Sequence, residues 1–153
     1  MNSWAKYFFG LVKLVSEKSK DRSTKVGAII VDDENSIVST GYNGFPRGVY
    51  DHYDERHERP EKYLWTEHAE RNAIYNAARR VLKGTTMYLQ YGPCPCADCS
   101  RAIIQCGIKE IVIPLDSPFP GVATMWSDSM KVSYKMLREG GVVVRCEGAD
   151  ESN

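Results

Sequence analysis

At 153 residues and 17.3 kDa, the chain is sized for one domain around one core, and with 42% hydrophobic and 26% charged residues it lies far from compositions that stay disordered. Twenty Lys and Arg balance 20 Asp and Glu, so the net charge of zero offers none of the excess positive charge that nonspecific nucleic-acid binding requires. No run approaches the roughly 18 to 20 apolar residues of a membrane helix, and the amphipathic stretch Met1 to Lys18 reads as neither a span nor a signal peptide.

Trp4, Phe8, Leu11 and Val15 recur at helical spacing, which predicts a helix from the capping Ser3 to about Ser19. Val26 to Val31 and Ser36 to Thr40, split by Asp32-Asp33-Glu34-Asn35, predict a hairpin. From Gly41 to Pro60, glycines and prolines among polar residues predict a long loop, and the charged stretch between Val49 and Leu64 suggests mobility. Thr66 is placed to cap a second helix reaching about Leu82, with Ala69, Ala73, Ala77 and Val81 in one row. Strand Thr85 to Gln90 leads through Gly92-Pro93-Cys94-Pro95 into a helix from Cys96 to Cys106, closed by Gly107, and then strand Ile108 to Ile113. After a Pro-rich loop, Thr124 to Glu139 is predicted helical with Trp126, Met130, Tyr134 and Leu137 along one face, and Val142 to Arg145 is the last strand. Strands separated by helices of this length predict an α/β fold with helices on both faces of the sheet, in a single unit over residues 1–153.

All five cysteines lie at or after Cys94, an odd number with three crowded into Cys94, Cys96 and Cys99, which points to a metal and a reducing cytoplasm more than to disulfides. His68-Ala69-Glu70 opens one predicted helix and Pro95-Cys96-Ala97-Asp98-Cys99 opens the next. Cys96 and Cys99 are three apart, so their sulfurs share a helix face, and a helix N-terminus favours thiolates. One imidazole and two thiolates supply three ligands, and a zinc so held keeps a fourth position for water, as catalytic sites do. A carboxylate at Glu70 is then spare to move protons. Helical periodicity alone does not bring His68 and Glu70 to one metal, because residues two apart diverge by about 200° round the axis. Cys94 is expected to line the loop, Cys106 and Cys146 read as small buried hydrophobes, and His52 and His57 as solvated loop histidines rather than ligands of a second metal.

His-x-Glu followed by Pro-Cys-x-x-Cys resembles the signature of zinc nucleobase deaminases. Asp21-Arg22-Ser23-Thr24-Lys25-Val26-Gly27, Ser39 to Gly48, and His68-Ala69-Glu70-Arg71-Asn72-Ala73-Ile74 extend the match, and from about Ser16 to Cys146 the chain is similar to the deoxycytidylate (dCMP) deaminase family. The resemblance implies a three-layer α/β/α domain with a five-stranded mixed sheet. It implies that His68, Cys96 and Cys99 hold one zinc, and that Glu70 shuttles protons while activated water attacks C4 of cytosine. The product would be dUMP, a thymidylate precursor. Asn43 would meet a sugar hydroxyl and the backbone at Ala69 the base carbonyl, although an Asn beside glycine also shapes turns. Ser23 and Lys25 are the expected phosphate contacts. Tyr42, Gly44, Pro46, Arg47 and Gly48 correspond to the family's effector loop, which implies activation by dCTP, inhibition by dTTP, a Mg2+ ion with the triphosphate, and a homo-oligomer.

Two other functions remain open from the sequence. A zinc deaminase could act on a free nucleoside or on adenosine in tRNA, against which zero net charge counts mildly. A non-catalytic, zinc-stabilised binding module would leave Glu70 an ordinary surface carboxylate.

Overall fold

The computed structural model describes residues 3–116 and 127–148. Five strands form one mixed sheet in the order β2-β1-β3-β4-β5: β1 (Gly27–Val31), β2 (Ile37–Tyr42), β3 (Thr86–Leu89), β4 (Glu110–Pro114) and β5 (Val143–Glu147). β1 pairs antiparallel with both β2 and β3, whereas β3, β4 and β5 run parallel. The strands β1 and β3 are buried on both faces, which is why their sequences run largely apolar rather than alternating, with Thr86 the polar exception at the start of β3.

Helix α1 (Ser3–Ser16) covers one face, where Ala5, Phe8 and Val12 meet Ile29, Val31, Tyr88 and Val112. The buried row is turned one position from the predicted one: Trp4 is half exposed, and Leu11 and Val15 only flank the core. Helices α3 (Ala69–Tyr75), α4 (Ala97–Gln105) and α5 (Asp128–Glu139) cover the other face around Ala28, Ile30, Met87, Ile103, Ile111 and Leu137. A hydroxyl pair, Ser100 Oγ to Ser133 Oγ at 2.6 Å, ties α4 to α5 in the core. Gly107, at φ 77°, turns the chain from α4 toward β4 as expected of a helix-terminating glycine.

The predicted 17-residue second helix is three pieces. A short helix α2 (Lys62–Trp65) precedes α3, and a 3-10 turn (Arg79–Val81) follows it. Thr66 closes α2 by donating its amide to Lys62 O instead of capping α3. Beyond Tyr75, the Asn76 side-chain amide is held by Thr40 O, Ala78 is extended, and Val81 ends up exposed. The loop after β2 is also less formless than its composition suggests. It carries a 3-10 turn (Asp54–His57), with His57 stacked on Phe45 at 4.9 Å and the Arg56 guanidinium over the Tyr53 and Trp65 rings. In α5 the buried positions are Ser133 and Leu137, while Tyr134 faces outward; Thr124 to Trp126 lie outside the described residues. Cys106 is half-buried and Cys146 exposed rather than a core residue, because β5 is an edge strand.

Candidate active site

The site forms where the N-termini of α3 and α4 converge beyond the end of β3. His68 is the residue before α3, at φ −82° and ψ 152°, and Cys96 the residue before α4, at φ −67° and ψ 168°. Both are therefore extended cap residues, so the helical divergence between positions 68 and 70 does not apply: His68 leaves the axis before the first turn starts, and Glu70 sits within it. The Cys96 sulfur accepts the amide of Cys99 at 3.5 Å, an N-cap bond made by sulfur in place of oxygen.

His68 Nδ1 lies 3.5 Å from Cys96 Sγ and 3.4 Å from Cys99 Sγ. Zinc–sulfur and zinc–nitrogen bond lengths with tetrahedral angles require a nitrogen–sulfur separation of about 3.6 Å, so this donor set fits zinc without rearrangement. It is the one group of three or more potential metal donors among the described residues. His52 and His57 join no such group; His57 Nε2 meets Asp51 O at 2.5 Å, and His52 packs on the Tyr50 and Tyr53 rings. Cys94 is buried with its sulfur toward Met130 O, away from the three donors.

The local electrostatics favour a preformed thiolate. The Cys99 thiol and the His68 imidazole beside it, against the opposing cost of burial, hold Cys96 down to about 4. Cys99 is pushed up, because its proton serves Cys96 and because it is buried. His68 is raised chiefly by the Cys96 sulfur. Glu70 Oε2 lies 3.6 Å from Cys99 Sγ, and burial pushes its carboxyl above the ordinary 4.5.

A strut not anticipated from the sequence holds the two ligand-bearing segments together. Glu67 Oε1 accepts both the His68 amide at 2.9 Å and Arg71 Nε at 2.6 Å, and Arg71 Nη1 reaches Asp98 Oδ2 at 3.8 Å. Glu67 and Arg71 stand at i and i+4, a pairing visible in the sequence once the helix start is placed correctly. Gly41 lets α3 approach β2 this closely, since a Cβ there would collide with Ala73 N and Ala69 O.

A cleft of about 150 Å³ opens onto His68, Ala69 and Glu70, walled by Thr24, Asn43, Arg59, Lys62, Tyr63 and Thr66. The Asn43 side chain is engaged by the backbone, accepting from Val26 N and donating to Thr24 O at 2.8 and 2.9 Å. Ser23 and Lys25, the expected phosphate contacts, are exposed and outside the lining, where their neighbour Thr24 stands instead. The buried Asp21–Lys62 ion pair, at 3.1 Å, stands with Asn43 and Thr66 between this cleft and a neighbouring one of about 360 Å³. Tyr42, Gly44, Pro46, Arg47 and Gly48 all line that second cleft, together with Lys18 and Lys20. The Thr66 hydroxyl is the one buried side-chain oxygen or nitrogen without a hydrogen-bond partner among the described residues.

Comparison with known proteins agrees with this geometry. The family model of the cytidine and deoxycytidylate deaminase zinc-binding region matches residues 2–115. An uncharacterized deaminase of Aliivibrio fischeri is 42% identical over 144 residues, 94% of this chain and 93% of that protein. Human deoxycytidylate deaminase is 40% identical over 118 residues, which is 74% of this chain and 65% of the human one. The apo crystal structure of the dCMP deaminase from cyanophage S-TIM5 matches 96% of this chain and 100% of its own, at a TM-score of 0.68 and 26% identity. With donors spaced for zinc at two helix starts and a family match spanning both, the chain belongs to the cytidine and deoxycytidylate deaminases.

Proposed function

We propose that this chain, acting as a single domain, hydrolyses dCMP to dUMP and ammonia. The observation that carries the reading is the convergence of His68, Cys96 and Cys99 beside the buried carboxyl of Glu70 at the end of a cleft. His68, Cys96 and Cys99 would hold zinc, which when bound acts as a Lewis acid and lowers the pKa of water toward neutrality. Glu70 takes a proton from the attacking water, passes it to ring N3, and delivers the second proton to the departing amino group. Burial suits this work, since it raises the carboxyl's affinity for protons above that of an ordinary carboxylate, so Glu70 can hold a proton between the two transfers. The backbone at Ala69 holds the base carbonyl, and Asn43, fixed by Val26 and Thr24, presents its remaining amide hydrogen and carbonyl lone pair to the sugar.

The same reading places dCTP as activator and dTTP as inhibitor, each with Mg2+, in the second cleft, where Arg47, Lys18 and Lys20 supply positive charge. It makes the protein a cytoplasmic homo-oligomer that supplies dUMP for thymidylate synthesis. No helix among the described residues is long and apolar enough to cross a membrane.

The test is ultraviolet-monitored turnover of dCMP, deoxycytidine and cytidine by zinc-loaded protein, with and without dCTP or dTTP and magnesium. Turnover of dCMP above the two nucleosides, raised by dCTP and lowered by dTTP, is expected. A folded, zinc-holding protein that turns over none of them refutes the reading in favour of a tRNA adenosine deaminase or a binding module.

A further inference from the structure

Two cations line the cleft that opens onto Glu70, Arg59 and Lys62, and they are in opposite states. The Lys62 ammonium lies 3.1 Å from both oxygens of Asp21, with the two side chains only 9% and 8% exposed, so its charge is spent within the wall. Arg59 is exposed and has neither an ion pair nor a side-chain hydrogen bond among the described residues. Its neighbours are not free in this way: Arg22 is held by Asp54, Arg47 by Asn76, Arg56 by Tyr50 O and Arg71 by Glu67. The backbone that carries Arg59 is fixed on both sides, by the 3-10 turn ending at His57 and by the Lys62 amide bonded to Glu58 O at 2.8 Å.

We propose that Arg59 sets the preference for a phosphorylated over an unphosphorylated nucleoside, by pairing with the 5′-phosphate of the substrate; the proposal rests on the deaminase reading above. With the reacting base against His68, Ala69 and Glu70, the phosphate faces the rest of the cleft lining, in which Arg59 is the exposed, unpaired cation. A guanidinium offers a planar fork that matches two phosphate oxygens at once. Asp21 does not oppose the phosphate, because Lys62 neutralises it. Ser23 and Lys25, the candidates that sequence suggested, lie outside the lining.

The experiment compares kcat/KM for dCMP and for deoxycytidine in the wild-type protein, Arg59→Ala and Arg59→Lys, alongside binding of dUMP and deoxyuridine by calorimetry. Loss of a charge-assisted pair lowers kcat/KM for dCMP about 10- to 100-fold in Arg59→Ala, with deoxycytidine unchanged and Arg59→Lys between. An equal fall on both substrates, or an undiminished preference for dCMP, overturns the proposal. Should the wild-type protein deaminate neither compound, the deaminase reading fails, and the dUMP-to-deoxyuridine affinity ratio in the Arg59 variants still decides the role of Arg59.

Discussion

Lys62→Met tests the electrostatics of the wall between the two clefts. The substitution keeps the length of the side chain and removes its ammonium, leaving the buried Asp21 carboxylate with two backbone donors, Ser23 N at 2.8 Å and Thr24 N at 2.9 Å. Breaking one partner out of a buried pair costs about 3–5 kcal/mol, and the two amides that stay with Asp21 place this case near the lower end. A loss of about 3 kcal/mol in a protein of this size lowers Tm by roughly 6–12 °C. Burial alone raises the Asp21 carboxyl, but the Thr24 and Ser23 amides and Lys62 outweigh it and hold it below the ordinary 3.8. A carboxyl depressed in the folded state stabilises above its unfolded pKa, and that contribution is lost as pH falls through the folded one. In Lys62→Met the carboxyl titrates higher, so the deficit is full at neutral pH and shrinks on acidification as Asp21 takes a proton. Urea denaturation of both proteins at pH 7.5 and at pH 4.5 reads the difference at each pH, and Asp21→Asn in the Lys62→Met background should recover part of it. A deficit that is absent, or that is the same size at both pH values, refutes the reasoning.

Three further outcomes are expected. Gly41→Ala drives a methyl group into the backbone at Ala69 and Ala73, 2.8 Å from Ala73 Cα, and should cost about 3 kcal/mol or more while weakening zinc binding through displacement of α3; native thermal stability and zinc affinity would contradict the close packing. Glu70→Gln should lower kcat for dCMP by about 10²–10⁴-fold with zinc content intact, since it deletes the proposed proton carrier and spares the three metal donors; retained turnover would remove Glu70 from the chemistry. In metal-free protein at pH 6, iodoacetamide should modify Cys96 ahead of Cys94, because Cys96 is a thiolate above about 4 while burial raises Cys94. Peptide mass spectrometry reads the order, and one equivalent of zinc should suppress the Cys96 adduct; modification of Cys94 first would contradict the assignment.

How much of this was legible beforehand depended on what each signal encodes. Apolar runs at Gly27–Val31 and Thr86–Leu89 announced strands because central strands are buried on both faces. Cys96, Cys99 and His68 were visible through spacing, as a few residues at helix starts dictate donor geometry locally. The break of the second helix was not legible, because alanine spacing continues past Tyr75 while the competing bond, Asn76 to Thr40 O, comes from a strand 36 residues away. The orientation of His68 was hidden for a related reason: whether a residue is the cap or the first turn is decided by where α2 ends, at Trp65, three residues earlier. Ser23 and Lys25 suit a phosphate by composition, yet the Asx-type turn at Asp21 leaves both exposed and outside the cleft lining, a placement set by hydrogen bonds from the Ser23 and Thr24 amides that composition does not reveal.

The most direct test of the zinc site is a stoichiometric titration of metal-free protein, following dCMP turnover as zinc is restored. Turnover that is absent without metal, rises linearly and levels off at one zinc per chain, and fails to appear in Cys99→Ser, is the predicted result. Full turnover in the metal-free protein, or a folded chain that binds one zinc and still leaves dCMP unchanged, would contradict it.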